Sequence, residues 1–200
     1  NDIGYNFLVD KYGQVFEGRY GGIDKNVVGA HAEGFNTGSV GVAVLGEYSS
    51  LAVTGPARDA LARLLAWRLD VAHVDPLTTL SVPSGGNARF PSGIPVFLRA
   101  VSGHRDTGFT DCPGTALYNL LNGIAGDVGG IGLPKLYAPT VSGSAPGLVR
   151  FRARLSSPLD WLVDVTDPAG TSIDTSFTAL RPPNVTRSSS ALSAGAVTVL

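Results

Sequence analysis

The sequence predicts an α/β domain followed by part of an antiparallel β-sandwich. Three observations carry this reading. Strand-like apolar runs alternate with helical spacing over the first 125 residues. From Val149 onward, apolar and charged side chains alternate with the two-residue period of a half-buried strand. Gly and Pro, 26 and 13 of 200 residues, are too frequent for a helical bundle.

The elements follow in order. Residues 3–9 and 14–17 are short apolar runs around Asp10-Lys11-Tyr12-Gly13, whose turn chemistry predicts a β-hairpin. Residues 19–26 are Gly-rich loop, 27–31 a brief extended segment, and 32–39 a polar loop. Residues 40–45 are almost continuously apolar, which predicts a strand buried on both faces. Gly55-Pro56 opens a helix expected to run to Ala72. Leu61, Leu64, Leu65 and Ala72 line one side of it, Arg58, Arg63 and Asp70 the other, and Asp75-Pro76 ends it. Residues 77–82 and 96–101 are strand candidates, and the Pro/Gly/Ser-rich stretch 83–93 between them reads as an inserted surface loop. A last short helix is expected over 114–121, closed by Gly123.

Residues 126–132 have linker composition. The domain limits expected are 1–125, a linker over 126–146, and a partial sandwich over 147–200. Val149, Phe151, Ala153 and Leu155 alternate with Arg150, Arg152 and Arg154; Trp161, Val163 and Val165 alternate likewise, before the turn Asp167-Pro168-Ala169-Gly170. A complete sandwich takes roughly 100 residues, so this stretch is expected to be a piece of one. The arginine stripe is either a wall or partner contact or a solvated strand face.

Totals exclude some roles. A formal charge of −1 gives no field to recruit nucleic acid or an anionic membrane. No apolar stretch reaches the roughly 20 residues of a membrane helix. The single cysteine excludes an internal disulfide and leaves Cys112 free to bind a metal. The chain starts on Asn1, without Met or leader, and stops on the strand-like Val197-Thr198-Val199-Leu200. It is expected to be a piece of a longer protein, so the missing leader says nothing against secretion.

Chemistry concentrates between Val101 and Gly114, where His104 and Cys112 stand eight residues apart across a polar loop. Imidazole and thiolate are borderline-soft ligands that suit zinc. Asp111 reads as an N-cap and Pro113 as a first helical residue, so helix amides would favour the thiolate. A buried structural cysteine beside a loop histidine is the alternative.

Three segments stand out together: Asp2-Ile3-Gly4-Tyr5-Asn6-Phe7; Gly29-Ala30-His31-Ala32-Glu33-Gly34-Phe35-Asn36 with Ser39-Val40-Gly41-Val42; and Gly103-His104-Arg105-Asp106 through Cys112-Pro113-Gly114. Their order and spacing resemble the type 2 zinc amidases, the N-acetylmuramoyl-L-alanine amidases related to peptidoglycan recognition proteins (PGRPs) and phage amidase lysozymes. The resemblance covers about residues 1–123 and implies a mixed central β-sheet flanked by helices, here followed by a partial immunoglobulin-like sandwich. It implies Zn2+ held by two histidines and a Cys or Asp, with His104 and Cys112 matching the second and third ligands. The first ligand would stand on a strand before Asn1, so the chain as it stands is expected to be inactive.

The same resemblance implies roles for other residues. Tyr5 matches the catalytic tyrosine, and Thr110 the position of a catalytic Lys or Thr. His31 and Asn36 would contact the muramyl peptide, with His31 as a third metal ligand the alternative. Arg19 would engage a peptide carboxylate, or only a surface ion pair. His73, at the end of the long helix, is expected to be structural, as are Arg105 and Asp106, with an Asp–imidazole contact left open. The implied reaction is zinc-assisted hydrolysis of the amide joining N-acetylmuramic acid to L-alanine in peptidoglycan, by a secreted monomer acting at the cell wall. A recognition protein that binds peptidoglycan without cutting it is the first rival; such relatives typically lose the cysteine. A wall-anchoring protein that works through its sandwich is the second.

Overall fold

The computed structural model describes residues 2–132, 135–143, 149–156, 161–166, 169–178, 184–189 and 196–199. The chain divides into two units, Asn1–Gly132 and Leu133–Leu200.

In the first unit β1 (Phe7–Val9) and β2 (Val15–Glu17) form the expected antiparallel hairpin. Asp10 closes the turn by accepting the Tyr12 and Gln14 amides on Oδ1 at 2.9 and 2.8 Å. Strand β3 (Val42–Val44) pairs parallel to β1, giving a mixed sheet ordered β2-β1-β3. It was expected to be buried on both faces, yet all three residues are only half-buried. Residues 27–31, read as extended, form no strand among the described residues.

Helix α1 (Gly55–Val71) starts as predicted. Thr54 accepts the Ala57 amide on Oγ1 and Pro56 sits in the first turn, where its missing N–H costs nothing. One edge of α1 (Ala57, Leu64) packs on Phe7 and Val9 of the sheet. The adjoining edge (Leu61, Ala62, Ala66) packs on Leu117, Leu121, Ile124 and Val128. Ala72, expected on the apolar side, is the exposed C-cap, and Arg68 is buried instead. Exposed His73 follows with φ 53, outside the site.

Strands β4 (Thr79–Pro83) and β5 (Pro95–Arg99) make a separate antiparallel pair. After the one-turn helix α2 (His104–Thr107), helix α3 spans Thr115–Gly129. It does not stop at Gly123, because Ile124, Ala125 and Val128 beyond it are buried against α1. That burial outweighs the roughly 1 kcal/mol cost of each helical glycine. The first unit therefore extends past residue 125 to Gly132.

The second unit holds β6 (Leu136–Ser142), β7 (Val149–Leu155), β8 (Trp161–Thr166), β9 (Ser172–Thr178), β10 (Asn184–Ser189) and β11 (Ala196–Val199). They form two antiparallel sheets, β10-β7-β6 and β11-β8-β9. Phe151, Ala153 and Leu155 of β7 share a core with Val163 and Val165 of β8, as their alternation predicts. Strand β6 occupies part of the stretch 126–146 expected as linker. The expected turn at 167–170 lies partly outside the described residues.

Candidate active site

The site forms where the bend before β1, the loop before β3 and the loops around α2 meet. Tyr5 stands at that bend. Its ring centroid lies 5.8 Å from His31 and 5.6 Å from His104, and the two imidazoles stack 5.9 Å apart with 15° between their planes. Three residues separated by up to 99 positions in the sequence thus form one triangular cluster of rings.

His31 is held by its neighbours' lack of side chains. A Cβ on Gly29 would come within 2.4 Å of its ring, and one on Gly41 within 2.3 Å. Asn36 fixes the backbone beneath: its Oδ1 accepts the amides of His31 and Ala32, both at 2.8 Å. The carboxamide oxygen of Asn36, a residue expected to contact the muramyl peptide, is engaged in positioning His31. Buried Asn6, which sequence reasoning passed over, braces the same loop. It donates to the Val27 carbonyl at 2.8 Å and accepts the Gly41 amide at 2.9 Å. Its signal was a polar residue inside an apolar run.

His104 opens α2. Asp106 caps that turn, accepting the Gly103 amide at 2.9 Å, the Arg99 guanidinium at 3.1 Å and the Tyr118 hydroxyl at 2.5 Å. Burial alone would raise its carboxyl; these three donors outweigh it and hold the group below its ordinary value. Its partners are thus the cap and the Arg99–Tyr118 pair, and no bond to an imidazole is made among the described residues.

Cys112 does not sit at a helix start as expected. Gly114, at φ 89, caps α3, which begins at Thr115. Without the helix amides, burial raises the thiol above its ordinary value and Arg105 only partly offsets this. Arg105 donates its amide to the Cys112 carbonyl at 3.0 Å and its guanidinium to the Asp111 carbonyl. Exposed Thr110 accepts the Cys112 amide on Oγ1 at 3.1 Å. Arg19 stands apart from the stack, its guanidinium 3.4 Å from the Ile3 carbonyl.

The stretch 83–93 is more than a surface loop. Asn87 donates to the Glu33 carbonyl at 2.9 Å and to the Thr107 carbonyl at 2.8 Å, joining the His31 loop to the His104 helix. Gly85 bonds to the Gly34 carbonyl at 2.7 Å, and Arg89 donates to the Arg105 carbonyl at 2.5 Å.

Electrostatically the stack is built to be neutral. Burial, then the neighbouring His104, lowers His31 to about 4. Burial lowers His104 as well. Burial, then nearby Cys112, raises the Tyr5 phenol, which stays a hydrogen-bond donor at neutral pH. The His31 Nε2 is buried without a hydrogen-bond partner. Neutral imidazoles and sulfur are donors of the chemistry zinc prefers. A catalytic zinc takes three protein donors, however, and among the described residues no group of three or more His, Cys, Asp or Glu is placed to hold an ion. The described residues therefore do not make a complete zinc site.

Residues 1–115 match the protein family Amidase_2, described as N-acetylmuramoyl-L-alanine amidase. The chain belongs to this amidase family. Peptidoglycan-recognition protein SC2 of Drosophila melanogaster is 35% identical over 118 residues, covering 59% of this chain and 50% of that protein. The N-acetylmuramoyl-L-alanine amidase of Homo sapiens is 36% identical over 123 residues, 60% of this chain and 17% of that protein. Among solved structures, Drosophila PGRP-LB aligns at 29% identity with a TM-score of 0.43, over 60% of this chain and 55% of that one. The chain thus spans about half the length of the SC2 relative, and less of the human one. Amidases and recognition proteins are both among its relatives.

Proposed function

We propose that the first unit is the amidase unit of an enzyme that hydrolyses the amide between N-acetylmuramic acid and L-alanine in bacterial peptidoglycan, at the cell wall outside the membrane, and that its activity requires a third metal donor besides His104 and Cys112. One observation carries this: Tyr5, His31 and His104 pack with ring centroids 5.6 to 5.9 Å apart, within the residues that match the amidase family. In this reading the protonated Tyr5 phenol donates to the lactyl carbonyl oxygen as it gathers charge. The imidazoles, held neutral, keep nitrogen lone pairs available at neutral pH, and exposed Thr110, bonded to the Cys112 amide, takes the supporting role of orienting water or donating to the oxyanion. Zinc dependence belongs to the same proposal, with His104 and Cys112 as two of the donors.

A specific observation favours a second reading, binding without cleavage: the described residues lack a three-donor cluster. One experiment separates the two. The purified chain, alone and extended by the strand expected to carry the first zinc ligand, is assayed for bound zinc and incubated with insoluble peptidoglycan with and without added Zn2+, and soluble stem peptides are followed by mass spectrometry. Release of peptides beginning with L-alanine supports the amidase. Co-sedimentation without release by the extended protein leaves the binding module, and an absence of both binding and release removes both readings.

A further inference from the structure

The near-neutral total charge hides a division between the units. Residues 1–132 carry nine Lys or Arg against twelve Asp or Glu, and residues 133–200 carry six against four. Within the second unit the charges divide again. Strands β6, β7 and β10 contain four arginines and no carboxylate. Asp164 and Asp174 lie on β8 and β9 of the other sheet, and Asp160 and Asp167 immediately flank β8 in sequence.

The face that the three β7 arginines occupy follows from the core; the fourth, Arg187 of β10, is in register with Phe151 and is not part of this set. Phe151, Ala153 and Leu155 point from β7 toward β8, so Arg150, Arg152 and Arg154 stand on the outer face of the central strand. Arg150 and Arg152 are exposed, and among the described residues neither is in a salt bridge. Arg154 lies over the Tyr137 ring, 4.4 Å from its centroid. The register sets Ser142 and Thr140 beside Arg150 and Arg152 on one flank, and Ser188 and Thr186 on the other. The result is a column of three arginines, every second residue of a strand and so about 7 Å apart along the backbone, with Thr140 and Ser142 along its β6 edge.

We propose that this outer face binds a linear phosphodiester polymer, such as a polyol phosphate chain of the cell envelope. All three column residues are arginine, whose planar fork pairs with phosphate through two parallel hydrogen bonds. A single-file column on one strand suits an extended chain bearing one anion about every 7 Å, not a compact ligand. The hydroxyls of Thr140 and Ser142 complement a polyol backbone, and the three strands carry no carboxylate to oppose the arginines. The surface lies entirely in the second unit and does not depend on the amidase proposal.

The test uses the whole chain and synthetic poly(glycerol phosphate), read by fluorescence anisotropy between 50 and 200 mM salt. The comparison probes are polygalacturonate, a carboxylate polymer, and oligo(dT), a nucleic acid. Binding is expected to weaken with salt and to favour poly(glycerol phosphate) over both. The exposed pair Arg150→Gln with Arg152→Gln should weaken it at least tenfold and flatten the log–log salt slope by about 1 to 2. The pair Arg150→Lys with Arg152→Lys keeps the charge and should recover part of the affinity, which guards against misfolding of the Gln pair. No binding, equal or tighter binding of either comparison probe, or an unchanged affinity in the folded Gln pair would overturn the proposal.

Discussion

Acidification should weaken the fold through His31. The ring is slotted between Gly29 and Gly41, stacked on Tyr5 and His104, and its pKa falls from 6.5 to about 4. A lowered histidine pKa means the unfolded chain takes up the proton first as pH drops. Stability from this group is therefore complete above about pH 6.5, declines below it, and is lost by about pH 4. At 1.36 kcal/mol per unit the shift is worth roughly 3 kcal/mol. Partial solvent access to the ring reduces this to about 1–2 kcal/mol. The perturbation is His31→Gln, compared with the parent chain by urea denaturation at pH 7.5 and 4.5, with NMR titration of the parent's imidazoles alongside. The parent should lose about 1–2 kcal/mol more than the variant between the two pH values. Parallel pH dependence in both chains, or a His31 midpoint at or above 6.5, refutes the reasoning.

Other expectations are more local. Gly41→Ala places a methyl 2.3 Å from the His31 ring, so the imidazole should leave the stack at a cost of about 1–3 kcal/mol; unchanged His31 ring shifts in NMR spectra would contradict this. Buried Arg68 ties down residues 23–26 through the Ile23 and Lys25 carbonyls at 3.0 and 3.3 Å and Asn26 Oδ1 at 3.2 Å. Arg68→Ala should cost about 2–4 kcal/mol and speed tryptic cleavage after Lys25, measured by thermal melting and timed digestion. If the amidase proposal holds, Tyr5→Phe should cut peptide release about a hundredfold with no change in melting temperature; undiminished release would exclude the phenol as a donor.

Short-range pattern carried most of the fold. The β1–β2 hairpin follows from Asp10 and Gly13, helix α1 from Gly55-Pro56 and its apolar stripe, and the β7 and β8 alternation from two-residue periodicity. What depended on distant partners was not legible. Gly123 looks like a helix stop until Ile124 and Val128 are seen against α1. Residues 42–44 look doubly buried, yet all three are half-buried although Val42 and Val44 pack against the core, a degree of cover set by distant elements. At the site, the motifs placed Tyr5, His31 and His104 near one groove, but their mutual stacking rests on Gly29, Gly41 and Asn6, far apart in sequence. Asp111 and Pro113 satisfied every local rule for a helix start, yet the helix begins at Thr115 behind Gly114.

The bridge made by residues 85–89 has a consequence for how this site tolerates change. Its anchors on the far side are main-chain oxygens of residues 33, 34, 105 and 107, groups that every amino acid carries. The side chains of residues 33 and 107 take no part in these bonds and can change without loosening the two histidine loops, whereas Gly34, at φ 78 with a Cβ there only 2.9 Å from the Gly86 carbonyl, cannot. The burden of constancy otherwise falls on Asn87 and Arg89, two residues that never approach the reacting groups.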